Sequence, residues 1–134
     1  MTYYFDMDGV LADFHGAANG DWNKALRYDF MATLPAFMAN VKLVNNLIAK
    51  GEKVYILTKA ANEAAKQGKI DWLARYIPTL AIERFICIVG GGKKSAYIHE
   101  EGILIDDDKK NIAEWEKAGH KGMWLEVKGM KISL

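Results

Sequence analysis

Two stretches decide how this chain reads: TYYFDMDGV at residues 2–10 and GILIDDD at 102–108. In each, an aromatic or aliphatic segment runs straight into aspartates, the pattern of a buried strand that ends at a functional edge. Asp6 and Asp8 follow the first segment, and Asp106 and Asp107 end the second. Gly9 permits the sharp turn that comes after the first pair. Carboxylates crowded in this way repel unless a cation or a shared proton compensates. Four at one sheet edge call for a hard divalent ion bound through oxygen, and Mg²⁺ is the expected cofactor.

Working outward, residues 39–50 place Val41, Val44, Leu47 and Ile48 at helical spacing, with Gly51 as the C-terminal stop. KVYILT at 53–58 reads as a second strand and 63–76 as a helix with Ile70, Leu73 and Ala74 on one face, broken by Pro78. RFICIV at 84–89, GILI at 102–105 and GMWLEV at 122–127 supply three further strands, the last two flanking an amphipathic helix at 109–118. Strands alternating with helices over short links predict an α/β fold: a Rossmann-like three-layer sandwich around a mainly parallel five-stranded sheet. Residues 14–38 are poorly periodic, with a short helix expected around Trp22–Phe30, and read as a minimal lid insert outside the core. Residues 1–134 are expected to form one domain.

Bulk composition removes several function classes. Eighteen basic against 17 acidic side chains leave a formal charge of +1, so no global field draws nucleic acid or a membrane surface, and stable nucleic-acid binding is not expected. No apolar run approaches the roughly 18–20 residues of a membrane span. A single cysteine, Cys87 within FICIV, reads as a small buried hydrophobe; a cytoplasmic, reducing and unprocessed setting is expected.

In parallel sheets of this kind ligands bind outside the carboxyl ends of the strands. Thr58 ends the second strand there, where its hydroxyl and the backbone N–H groups after it are candidates to hold a phosphoryl oxygen. Lys94, ahead of the fourth strand, is a candidate positive charge for a transition state. GGGKKS at 90–95 is not a P-loop, because Lys94 stands where that motif needs Ser or Thr. Nor is the first acidic stretch an EF-hand, since VLADF breaks the required alternation. A phosphorylation-receiver domain is disfavoured by motif order, with the acidic pair first and DDD last.

FDMDGVLADF, ILT, GKKSAY and LIDDDKKNIAEW, in this order, resemble the four motifs of the haloacid dehalogenase-like phosphohydrolase superfamily, nearest to its 5'(3')-deoxyribonucleotidase-like branch. The resemblance spans Asp6–Trp115. It implies a phosphomonoesterase with Asp6 as nucleophile and Asp8 as general acid and then general base. By the same resemblance, Mg²⁺ is held by the Asp6 carboxylate, the Asp8 backbone carbonyl and Asp106, with Asp107 close by; Thr58 and a lysine bind phosphate. Lys93 and Lys94 both offer that lysine, and the serine that follows it in the family wording matches Lys94-Ser95. The implied substrate is a small phosphomonoester, a deoxynucleoside monophosphate in that branch. A sugar phosphate, a nucleic-acid 3'-phosphate end and a non-catalytic binding module of the same fold are the alternatives. Dehalogenase chemistry needs neither Mg²⁺ nor an acid two residues after the nucleophile, so Asp8 argues against it.

Only 49 residues separate Asp8 from Thr58, so the lid that the branch inserts there is nearly absent. A homodimer is one expected way to complete the pocket. Trp22, Tyr28 and Phe30 are candidates either to stack a base or to form the lid's own small core. His15 is a substrate-contact candidate, while His99 and His120 read as surface or lid residues. Trp72, Trp115 and Trp124 read as packing residues, and Lys109, Lys110 and Lys117 as a solvated helix face.

Overall fold

A computed structural model describes residues 1–134. Its central strand β1 (Thr2–Phe5) lies between β2 (Lys53–Ala60) and β4 (Ile103–Asp106), with β3 (Phe85–Val89) and β5 (Gly122–Trp124) outermost. All four pairings are parallel, in the order β3-β2-β1-β4-β5. The helices are α1 (Phe14–Ala18), α2 (Tyr28–Ala32), α3 (Met38–Ala49), α4 (Glu63–Tyr76) and α5 (Lys109–Lys117). The expected Rossmann-like α/β architecture is thus the observed one.

Period-two alternation along the strands builds two unequal cores. Tyr4, Tyr55, Leu57, Ile86, Ile88 and Leu104 point to the face covered by Ile112 and Trp115 of α5. Phe5, Val54, Ile56 and Ile105 point to the other, where Val41 and Val44 of α3 and Trp72 and Leu73 of α4 meet them. Trp72 and Trp115 are fully buried, and each indole N–H finds a carbonyl, at Leu34 (2.8 Å) and Lys121 (2.9 Å). Truncating either to Ala would cost about 3–5 kcal/mol.

Local signals fix the helix ends. Asn62 caps α4 by accepting the Ala65 N–H at 2.8 Å, and Gly51, at φ +85°, closes α3 in the left-handed region. Gly68 within α4 lets α2 approach closely, because a Cβ there would stand 2.7 Å from the Tyr28 carbonyl oxygen.

Three expectations are corrected. The segment read as lying outside the core contributes Phe14, Ala18, Met31 and Leu34 to the larger buried cluster, because α2 packs against α4. Strand β2 runs two residues past Thr58, its ladder with β3 continuing to Ala60↔Val89. The fifth strand stops at Trp124 rather than residue 127, since its partner β4 ends at Asp106. The chain then crosses the loop after β1, where the Gly129 N–H donates to the Gly9 carbonyl at 2.8 Å.

Strand order reverses between β1 and β4, the switch point at which open parallel sheets leave a crevice at their carboxyl ends. No helix is long and apolar enough to cross a membrane.

Candidate active site

The crevice holds a cavity of about 380 Å³ lined by Asp6, Asp8, His15, Thr58, Lys59, Lys94, Asp107, Asp108, Lys109, Asn111 and Lys128. None of these is hydrophobic. Asp6 follows β1 directly, with its backbone N–H donating to Ile105 O at 2.9 Å, so β4 fixes its position. Gly9 turns the chain immediately afterwards at φ +86°, and a Cβ there would meet the Asp107 carboxylate at 2.2 Å. Only glycine satisfies both conditions.

Three consecutive aspartates at the end of β4 have separate surroundings. Asp106 is wholly buried, accepting from the Asp108 N–H at 2.9 Å and the Asn111 side-chain amide at 3.1 Å. Asp107 meets the Lys128 ammonium at 3.1 Å. Asp108 caps α5 by accepting the Lys110 N–H at 2.8 Å.

Lys94, with 2% of its surface exposed, donates to Asp6 Oδ1 at 3.0 Å and Asp106 Oδ2 at 2.8 Å. Lys93, its rival in the sequence, is exposed. Across the cavity, Lys69 of α4 donates to Asp8 Oδ2 at 2.9 Å and Thr58 Oγ1 at 2.8 Å. The structure therefore brings together Asp6, Asp8, Thr58, Lys94, Asp106 and Asp107, the six candidates for catalysis, phosphate and metal.

Burial dominates the electrostatics. It raises the Asp6 carboxyl above the ordinary range against the opposing pull of Lys94. It pushes Asp106 up to about 6, with the Asp6 charge adding to the effect. Asp107 is also raised by burial, against the Lys128 contact. Burial works against the Lys94 ammonium, but Asp6 and Asp106 outweigh it and hold its pKa above normal.

Whether these residues suit a cation can be judged from their geometry. Asp6, Asp106 and Asp107 each offer a carboxylate oxygen within 4.8 Å of the others. Asp8 Oδ1 is buried with no hydrogen-bond partner. An all-oxygen, carboxylate-rich donor set of this kind fits Mg²⁺ and other hard ions, and disfavours soft ones.

Several site residues were missed in the sequence. Lys69 falls on the buried face of α4 with Ala65, Gly68, Trp72 and Leu73, and a lysine at an apolar helical position was the available signal. Asn111 and Lys128 carried none. Lys109, read as solvated helix face, lines the cavity mouth while staying exposed.

His15 also lines the cavity; its Nδ1 is buried without a partner, and burial lowers its pKa. Of the aromatic candidates, Trp22 is 58% exposed and stacks on Phe14 at 5.8 Å, and Phe30 meets Phe14 edge-on at 6.0 Å. Neither lines the cavity. Trp124, read as packing, is only partly covered, with its indole N–H on the Asp107 carbonyl at 3.1 Å.

No curated protein matches this chain. The family model described as "5' nucleotidase, deoxy (Pyrimidine), cytosolic type C protein" matches residues 21–123, a span that holds Thr58, Lys94, Asp106 and Asp107 and begins after Asp6 and Asp8. With more than half of the chain matched, and with a Rossmann-like fold around it, the chain belongs to this 5'-deoxynucleotidase family of phosphoric monoester hydrolases.

Proposed function

We propose that the chain is a Mg²⁺-dependent phosphomonoesterase that acts on a deoxynucleoside monophosphate through an aspartyl-phosphate at Asp6. One observation carries the reading: the buried Asp6 carboxylate lines a wholly polar cavity at the switch point, held by Lys94 and beside Asp106.

In the first step an Asp6 oxygen attacks phosphorus in line, and the P–O ester bond breaks. Its electron pair stays on the ester oxygen, which takes the proton carried by Asp8. In the second, Asp8 as carboxylate takes a proton from water while that water attacks phosphorus. The Asp6–phosphorus bond breaks, restoring the Asp6 carboxylate and releasing inorganic phosphate. Lys94 and the Thr58 hydroxyl hold phosphoryl oxygens in both steps. The ion would be held by Asp6, the Asp8 carbonyl and Asp106, with Asp107 alongside. When bound it neutralises charge and polarises a phosphoryl oxygen.

The absence of any hydrophobic lining residue supports a second reading, in which the site reads phosphate and a polar sugar and little of the base. Relative kcat/KM with Mg²⁺ for deoxynucleotides, ribonucleotides, sugar phosphates and an aryl phosphate separates the two. A deoxynucleotide preference of about tenfold or more supports the first reading, and equal rates support the second. Absence of all turnover would overturn both.

Residues 1–134 are proposed as one hydrolase domain with 14–38 as a reduced cap. The shortness of that cap supports a homodimer whose second subunit completes the pocket, checked by mass in solution. The family's cytosolic description supports a cytoplasmic setting.

A further inference from the structure

Lys69 is the least expected charge in the molecule. It sits on the inward face of α4, 1% exposed, where an aliphatic residue would pack at no electrostatic cost. Its neighbours on that face, Ala65, Trp72 and Leu73, are ordinary core residues. A buried ammonium persists only where hydrogen-bonded acceptors compensate its lost hydration. Here the two acceptors are Asp8 Oδ2 and Thr58 Oγ1, which reach it from the loop after β1 and from β2.

These contacts constrain both acceptors. The Thr58 hydroxyl accepts from Lys69, so its one O–H is left to donate elsewhere, and Thr58 lines the cavity. Asp8 lines the cavity with its side chain 24% exposed; its Oδ2 is engaged by Lys69 and its Oδ1 is buried without a partner, so the Lys69 contact fixes how the carboxyl is turned. Lys59, Lys94, Lys109 and Lys128 line the cavity, and Lys69 does not. It stands behind Asp8 and Thr58, out of reach of anything bound there.

From this arrangement we infer that Lys69 is a positioning residue for the hydrolysis, holding the Asp8 carboxyl turned to the cavity for proton transfer to the leaving group and Thr58 as a donor to phosphate. The inference rests on the proposed role of Asp8. Its signature is dependence on the leaving group. A nucleoside alkoxide departs only with a well-placed proton, whereas 4-nitrophenolate departs almost unaided. A merely structural role, or direct phosphate binding, would affect both substrates alike.

The test compares wild type with Lys69→Met in the presence of Mg²⁺, measuring kcat/KM for a deoxynucleoside 5'-monophosphate and for 4-nitrophenyl phosphate, with thermal unfolding recorded for each protein. Because leaving-group departure is the first irreversible step, kcat/KM reports it without the later attack by water. The expected result is a loss of about a hundredfold for the deoxynucleotide and about tenfold or less for the aryl ester. Equal losses, or no loss, overturn the inference. Should Lys69→Met not fold, Lys69→Gln, which keeps a donor near the same acceptors, is read by the same ratio: a selective loss supports the inference and an equal loss overturns it. A wild-type protein that hydrolyses neither ester would instead defeat the proposed function, so the two failures are distinct.

Discussion

The two ends of the parallel sheet each gather a polar cluster, and the clusters differ in whether their members are satisfied. At the amino end, Glu100 accepts from Thr2 Oγ1, the Lys53 ammonium and the Tyr55 hydroxyl at 3.1, 3.2 and 2.8 Å. The Tyr4 hydroxyl there donates to the Glu100 carbonyl and accepts from the His99 and Glu100 N–H groups. At the carboxyl end, Asp6, Asp106 and Asp107 crowd together and Asp8 Oδ1 has no partner. A satisfied network rigidifies the fold, whereas unspent carboxylate charge marks a place built for something else to bind.

The sharpest way to break this contrast is to remove charge at the carboxyl end. Asp6→Asn keeps the shape of the side chain but is a poor nucleophile, and turnover should fall at least about a thousandfold with the melting temperature kept or raised. Withdrawal of Mg²⁺ by a chelator should abolish turnover. Readdition at a hundred times its dissociation constant should stabilise the fold by about 2.7 kcal/mol, read as a rise of several degrees in melting temperature. At the amino end the opposite split is expected. Tyr4→Phe leaves two backbone N–H groups without their acceptor and should cost about 1–3 kcal/mol in denaturant unfolding, with kcat/KM unchanged.

The pH dependence separates the two ends by their carboxylates, which should respond in opposite directions. Asp106 is raised from 3.8 to about 6, so the metal-free fold binds its proton more tightly than the unfolded chain does. Its contribution is complete below pH 3.8 and is lost as pH rises through 6, by about 2–3 kcal/mol, a fall that Asp106→Asn should remove. Glu100 is lowered by the Tyr55 hydrogen bond and then by Lys53, so its contribution is present above the unfolded carboxyl value and lost as pH falls. Tyr55, raised to about 12 by burial and then by Glu100, keeps its contribution below pH 10 and loses it as pH rises through 12. Denaturant titrations of the metal-free protein across these windows check each sign.

Much of the carboxyl end was legible because its acidic residues stand at or just past the ends of apolar strands, and a strand end is a position that sequence periodicity can locate. Asp6 and Asp106 were located in that way, and Thr58 was placed near the end of β2, two residues short of it. Lys69 was not located, because its two partners are far away in sequence, 61 and 11 residues distant, and helical periodicity offers only a misplaced charge. Lys128 comes from a loop whose path is set by the Gly129 to Gly9 hydrogen bond, a contact that no local pattern encodes. The segment 14–38 was misjudged for the opposite reason. Its weak periodicity hid Met31 and Leu34; Met31 is buried where Gly68 lets α2 approach α4, and Leu34 lies beside Trp72, whose indole N–H its carbonyl accepts.

The most direct measurement of the mechanism uses Asp8→Asn, in which the leaving group of an aryl phosphate can depart but water is not activated to attack the intermediate. Acid quenching during turnover of 4-nitrophenyl phosphate with Mg²⁺, followed by peptide mass spectrometry, should find a phosphoryl group on the peptide that contains Asp6, labile to hydroxylamine as acyl phosphates are. A phosphoryl group on any other residue, or sustained turnover with no covalent species, would contradict the account.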